Sequence, residues 1–361
     1  MDSRLKELFS SKRAKAFCSN VVPKFVRHAV LCAVAALVGL TGCKAKSDEV
    51  RGASSRDASA SAGKAATSAS GRVSAGQGGA DEAPPPEQTG GFDGKRAFEH
   101  VAKQVNIGAR PSGSQANLAT QDYILTQLKS YGCTADVDPF NADTPVGIVP
   151  MKNILVKIPG DDRSIILLGT HYDTLPKKDF VFVGADDGGS STGVMLELAR
   201  ILCGRHGKHA VWIAFFDGEE AMKSWSDRDS RYGSRQMAAR FAASGDLARI
   251  KAFLLADLVG SRTLHFARES NSTPWLVDLV WNTAARLGYG DVFINATTSV
   301  EDDHDSFLRR NVASVDVIDL NRAGDVAFWH TAEDTLDKIS GMSLAITGHV
   351  FLESVKELQK R

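Results

Sequence analysis

Cysteine is scarce in this chain. Five occur in 361 residues, and only Cys133 and Cys203 stand beyond residue 43. A disulfide framework is thereby excluded. Those two could still pair in an oxidising compartment or remain small buried thiols, because each stands where the pattern ends a helix. Net charge is lacking too: Lys plus Arg and Asp plus Glu number 43 each, so no basic field suits nucleic acid or an acidic membrane surface. Aromatic residues are missing from residues 44–91, where Ala, Ser, Gly and Pro dominate and Pro84-Pro85-Pro86 occurs. Such a stretch buries too little apolar surface to offset its ordering entropy. There is also no phosphate-binding glycine loop or His-Glu-x-x-His helix, which removes the usual nucleotide and zincin readings.

The N-terminal apolar run, residues 29–40, is too short for a comfortable membrane span. It follows Lys12, Arg13, Lys15, Lys24 and Arg27 and closes with Leu40-Thr41-Gly42-Cys43. Basic, apolar and small residues in that order read as a secretion signal over residues 1–42. The small residues before Cys43 resemble the lipobox of bacterial lipoproteins, in which the cysteine becomes the acylated first residue. An uncleaved N-terminal anchor is the alternative. Either reading makes the protein exported and membrane-anchored, facing the periplasm or the cell exterior. Residues 1–42 hold seven basic and two acidic side chains, so the remainder is mildly acidic. Residues 43–91 then read as a disordered tether and residues 92–361 as the folded domain.

Within that domain, residues 118–131 carry apolar side chains at helical spacing and stop at Gly132. Short runs rich in Ile, Val, Leu and Phe at residues 153–158, 164–168, 211–216, 251–255, 263–266 and 314–318 predict strands. Helices are expected at 191–202, 234–243, 275–287 and 340–356. The alternation indicates an α/β sandwich around a mostly parallel sheet. Polar residues follow the strands: His171-Tyr172-Asp173 after the second, Asp217-Gly218-Glu219-Glu220 after the third and Asp257 after the fourth. In open α/β sheets the carboxyl ends of strands define the ligand crevice, so several carboxylates and a histidine should converge there.

Each feature also has a bland reading. Glu219-Glu220 could be a surface turn, yet it leaves a buried strand, where charges need partners or a metal. In extended or irregular chain the two side chains diverge, so one could bind metal while the other handles protons. Asp186-Asp187, between Gly184 and Gly189 and ahead of a helix, exceed what capping requires; one can cap while the other ligates. His330 beside Trp329, like His171, could be merely packed. Together, however, His171, Asp187, Glu220, Asp257 and His330 form a donor set suited to zinc, and Asp173 could orient His171. Glu301-Asp302-Asp303-His304-Asp305 could be a solvated loop, or Asp302 could reach the crevice.

His171-Tyr172-Asp173, Gly184 to Asp187, Phe215-Phe216-Asp217-Gly218-Glu219-Glu220-Ala221 and Trp329-His330-Thr331 resemble the zinc aminopeptidase superfamily. Trp225, Asp229-Ser230-Arg231-Tyr232-Gly233-Ser234-Arg235, and Asp302-Asp303-His304 with Phe307-Leu308-Arg309-Arg310 resemble its glutaminyl cyclase branch. The resemblance runs from about Asn117 to the C-terminus. It implies a three-layer αβα sandwich around a mixed, mostly parallel sheet, with residues 92–361 as a zinc-dependent catalytic domain. One zinc would be held by Asp187, Glu220 and His330, with Glu219 as acid/base. Asp257 and Asp302 would be hydrogen-bonded partners in a proton relay near Glu219, and Trp225 and Trp329 would wall the substrate pocket. Asp316 stands where animal cyclases carry a histidine.

The reaction so implied closes the N-terminal glutamine of a peptide or protein to pyroglutamate and releases ammonia. Two alternatives stay open. His171 and Asp257 complete the ligand set of a two-zinc aminopeptidase, in which Glu219 would activate a metal-bound water. A catalytically inactive peptide-binding lipoprotein is the other.

Overall fold

The structure, a computed structural model, describes residues 83–320 and 327–361. The expected signal (1–42), Cys43, most of the expected tether and residues 321–326 lie outside the described residues.

Three strands form the buried middle: β3 (Ile165–His171), β4 (Ala210–Phe216) and β5 (Ile250–Asp257). Every residue of β3 and β4 is buried. Successive side chains point to opposite faces. Ile166 and Leu168 therefore join one apolar cluster, and Ile165 and Leu167 the other. A strand covered on both faces reads as a continuous apolar run, which is why these strands are plain in the sequence. The six-stranded sheet is completed by β1 (Ala135–Thr144), β2 (Gly147–Ile158) and β8 (Ser314–Ile318), in the order β1-β2-β4-β3-β5-β8. The strands from β4 to β8 run parallel, and β2 and β1 are antiparallel to their neighbours.

One face carries α1 (Gly94–Ile107), α2 (Gln115–Ser130), α3 (Gly189–Leu202), α5 (Pro274–Arg286) and α7 (Gly341–Gln359). The opposite face carries α4 (Tyr232–Ser244) and the short α6 (Asp305–Leu308). This is the expected three-layer αβα sandwich around a mixed, mostly parallel sheet. A two-stranded parallel sheet, β6 (Phe266–Glu269) with β7 (Phe293–Thr298), stands beside it.

Four elements escaped the sequence reading: β1, β7, α1 and the four-residue α6. Edge strand β1 contains Asp136, Asp138, Pro139 and Asp143, residues that protect an exposed edge and also hide its strand character. In β7 the run Asn295-Ala296-Thr297-Thr298 has no apolar alternation. The buried face of α1 includes His100 and Gln104, which break its apolar stripe. The strand expected at 263–266 begins only at Phe266.

Regular structure is also present ahead of residue 92, where the folded domain was expected to begin. A 3₁₀ turn spans Pro86–Thr89, and the buried Thr89 hydroxyl donates to the Phe92 carbonyl at 2.5 Å. The Phe92 ring lies so near Gly348 of α7 that a Cβ there would meet it at 2.2 Å. Cys133 and Cys203 pair, with Cα atoms 5.4 Å apart, joining the chain after α2 to the end of α3. Closing a loop with a separation of 70 residues is worth roughly 4 kcal/mol in the chain-entropy account.

Between α1 and α2, His100 is held by Tyr123 at 2.6 Å and Tyr131 at 2.9 Å. Burial, aided by Arg96, lowers its pKa to about 4. The unfolded chain, with an ordinary His pKa near 6.5, takes up that proton more readily. Stability should therefore fall as pH drops from 6.5 to 4, by up to about 3 kcal/mol from this group. His100→Gln should flatten that part of the curve of Tm against pH; parallel curves for both proteins would refute the assignment.

Candidate metal centre and substrate cavity

The carboxyl ends of β3, β4 and β5 deliver His171, Glu219-Glu220 and Asp257 to one edge of the sheet, and the β3–α3 loop adds Asp187. His330 arrives from the loop ahead of α7. Asp187 is the shared member of two clusters, His171–Asp187–Asp257 and Asp187–Glu220–His330, each with candidate donor atoms within 4.8 Å of one another. Its Oδ1 lies 3.3 Å from His171 Nε2 and its Oδ2 3.2 Å from His330 Nε2. Glu220 Oε1 is 3.4 Å from His330 Nε2, and Asp257 Oδ1 is 3.2 Å from His171 Nε2. Asp187 Oδ2 and Glu220 Oε1 are buried without hydrogen-bond donors, as oxygens reserved for a cation would be.

The electrostatics agree. Burial, then the charge of Asp187, pushes Glu220 up to about 7. Burial pushes Glu219 well above the usual carboxyl range, against His171 and with help from Asp302 and Glu220. Burial opposes the charge on His330, but the facing carboxylates of Asp187 and Glu220 outweigh it and lift the imidazole to about 10. Negative charge collected in a dry site needs a counter-cation. Carboxylates and imidazoles at these spacings fit a divalent metal of the zinc type.

Loop scaffolding explains the convergence. Asp334, missed in the sequence, accepts hydrogen bonds from the N–H groups of Asp186 at 2.7 Å and Asp187 at 3.1 Å. The fully buried Arg110, also missed, donates to the carbonyls of Tyr172, Val183 and Gly184. Gly188 has φ +72°, and a Cβ there would meet the Asp173 carbonyl at 2.7 Å; its place is dictated by this turn. Asp186 does not cap α3 as the pattern allowed. Its side chain accepts from Gly260 N–H at 2.7 Å, tying the loop to the end of β5. Asp173 lies 3.6 Å from His171 Nδ1 and also accepts from the N–H groups of Glu219 and Glu220.

A cavity of about 670 Å³ opens over the clusters, lined by Asp187, Glu219, Glu220, Asp257, Asp302 and His330. Trp225 and Trp329 wall it, 41% and 40% exposed. Trp329 stacks on His330 with ring centroids 4.1 Å apart, so this histidine is both packed and facing the cluster. The apolar lining from Leu258, Val300, Ile318 and Leu320 was not foreseen; Leu258 reaches the cavity from backbone at φ +48°. Asp257 and Asp302 do not hydrogen-bond to Glu219. Asp257 accepts from Leu258 N–H and faces His171, while Asp302 accepts from Asp303 N–H and acts on Glu219 through its field. Asp316 is buried in β8, 3.8 Å from His304 Nδ1; the other nitrogen of His304 lies 3.2 Å from Glu269.

This sheet order, with acid–histidine clusters at its carboxyl edge, defines the zinc aminopeptidase-like class. The profile of Peptidase family M28 matches residues 153–355, more than half the chain. The chain is 31% identical to a glutaminyl-peptide cyclotransferase-like protein of Mus musculus, over 68% of this chain and 71% of that one. The Bos taurus protein of the same description is also 31% identical, over 63% of this chain and 66% of its own length. Among solved structures, an Acidobacteriales bacterium glutaminyl cyclase is 39% identical with a TM-score of 0.71, covering 75% of this chain and 96% of that one. A Zn-dependent exopeptidase from Parabacteroides distasonis is 27% identical with a TM-score of 0.66, covering 73% and 97%. The chain belongs to peptidase family M28, in its glutaminyl cyclase branch.

Because Asp334 orients Asp187 through two backbone N–H groups, Asp334→Ala should weaken divalent-metal affinity about 10- to 100-fold, read by competition with a chelating dye. Unchanged affinity would remove Asp334 from the support of the site.

Proposed function

We propose that this protein is a glutaminyl-peptide cyclotransferase whose catalytic group is Glu219 and whose metal ligands are Asp187, Glu220 and His330. The observation that carries this reading is the placement of Glu219. Its buried carboxyl, raised well above the usual range, lines the tryptophan-walled cavity beside the ligand cluster. The likeness to glutaminyl cyclases supplies the reaction class.

Trp225 and Trp329 hold the glutamine side chain curled toward its own α-amine, a proximity effect. The α-nitrogen bonds to the side-chain amide carbon, and the bond from that carbon to the amide nitrogen breaks. Glu219 takes a proton from the α-amine and returns one to the departing nitrogen, so ammonia leaves and Glu219 is regenerated. Such acid/base work contributes about 10²- to 10⁴-fold. Asp302, unpaired at one oxygen and acting electrostatically on Glu219, raises its proton affinity and so makes the ionised carboxylate a stronger acceptor for the amine proton. Asp187, Glu220 and His330 would hold one zinc ion, which when bound supplies Lewis-acid polarisation of the γ-carbonyl.

A two-zinc aminopeptidase is the second reading, favoured by the intact His171–Asp187–Asp257 cluster and the likeness to a Zn-dependent exopeptidase. Convergence of the ligand candidates with Glu219 counts against an inactive binding protein. The exported, lipidated form remains part of the proposal: signal over residues 1–42, acylation at Cys43, then the tether. The Cys133–Cys203 disulfide supports an oxidising compartment. Cys43→Ala should move the protein from the membrane fraction to the soluble exported fraction; unchanged fractionation would remove the lipid anchor.

With Gln-initiated and Leu-initiated peptides, ammonia should come from the first, with about one zinc per chain by metal analysis. Free leucine with two zincs would instead establish the aminopeptidase. Glu219→Gln should keep zinc and lose turnover by about 10²-fold or more, whereas His330→Ala should lose zinc. Equal metal loss in both variants would sink the separation of roles.

A further inference from the structure

Between β4 and α4 the chain makes an excursion that carries both Glu219 and Trp225. Its neck is closed by two backbone hydrogen bonds, Arg231 N–H to the Glu219 carbonyl and Tyr232 N–H to the Gly218 carbonyl, both 2.7 Å. Inside, the Asp229 carboxylate accepts from the N–H groups of Met222, Lys223 and Ser224. At the neck Arg231 adopts φ +52°, a region that residues with a side chain seldom occupy and that collects at functional sites.

The Arg231 side chain is 2% exposed and does not line the cavity. It donates to Asp305 and Asp227, each at 2.8 Å, and lies 3.8 Å from Glu301. Its guanidinium also sits over the Trp225 ring, 5.3 Å from the centroid. On the edge of the same indole, Nε1–H donates to Glu301 Oε2 at 3.3 Å. Trp225 is thus held from two directions, by a cation over its face and an acceptor at its edge. Without them, a half-exposed tryptophan on a loop would be free to turn about both side-chain torsions.

We propose that Arg231, acting with Glu301, is a positioning residue that sets the plane of Trp225, so that substrate affinity depends on a buried arginine which never touches the substrate. The kinetic part rests on the cyclase reading above; the positioning part does not. Because the Arg231 N–H also holds the Glu219 carbonyl, the same residue keeps the wall and the acid/base group in register. A purely structural Arg231, serving only to neutralise Asp305 and Asp227, would leave Trp225 unaffected.

The full chain labelled with 5-fluorotryptophan separates these cases. It has five tryptophans, and Trp225→Phe identifies the signal of Trp225. In Arg231→Met and in Glu301→Ala that signal should move toward the free amino acid while the other four stay in place. KM for a Gln-initiated peptide should rise about tenfold, with kcat changing less than about twofold. On a Trp225→Phe background neither substitution should raise KM further, the non-additivity expected of residues acting as one unit. An unmoved Trp225 signal, or KM increments that add fully to that of Trp225→Phe, overturns the proposal. Should Arg231→Met fail to fold, all its signals would collapse and the exposed Glu301→Ala decides alone. Should the unsubstituted protein release no ammonia, the cyclase reading falls, while the fluorine signal still decides whether the clamp exists.

Discussion

The site depends on one carboxylate held between two imidazoles. Asp187 presents one oxygen to His171 and the other to His330, each little more than 3 Å away. Three parallel strands, a glycine-rich turn and a distant loop must all end within a few ångströms for that to occur. Burial makes the arrangement costly for each carboxylate taken alone. Histidine contacts hold Asp187 ionised against its desolvation, whereas Glu220 and Glu219 are driven toward their neutral forms. A site in that state favours any bound cation and raises the proton affinity of the neighbouring Glu219.

Aspartates that bind no metal hold these loops in shape. Asp334 receives two backbone N–H groups under Asp187, Asp173 receives two under Glu219 and Glu220, and Asp229 receives three under the Trp225 loop. A buried carboxylate is stable when donors surround it, and irregular backbone is stable when its N–H groups find acceptors. Each aspartate meets both needs at once. The result is a cavity floor built from loops that nevertheless has defined geometry.

Much of the fold was legible because the central strands are covered on both faces and so read as unbroken apolar runs, with acids and histidines directly after them. Helix α2 was located by its apolar spacing, and α3, α4, α5 and α7 by their place among the strand runs. Edge strand β1, strand β7 and helix α1 were not, because edge protection, a polar strand and buried polar side chains each erase the periodicity on which such reading depends. Metal-ligand candidates were legible by residue type and order. Arg110 and Asp334 were not, since each contacts residues dozens of positions away and neither carries a local pattern.

By itself, the sequence determined the α/β class, the strand ends at which the chemistry gathers, and the residue types able to bind a metal and move a proton. Those follow from short-range periodicity and from what each side chain can donate or accept. Tertiary structure alone decided that Asp187 is shared by two clusters, that Asp186 braces a loop instead of capping a helix, that Cys133 meets Cys203, and that Asp302 acts on Glu219 through its field. The physical reason is the same for each: these are distances between segments far apart in the chain, set by how the layers pack.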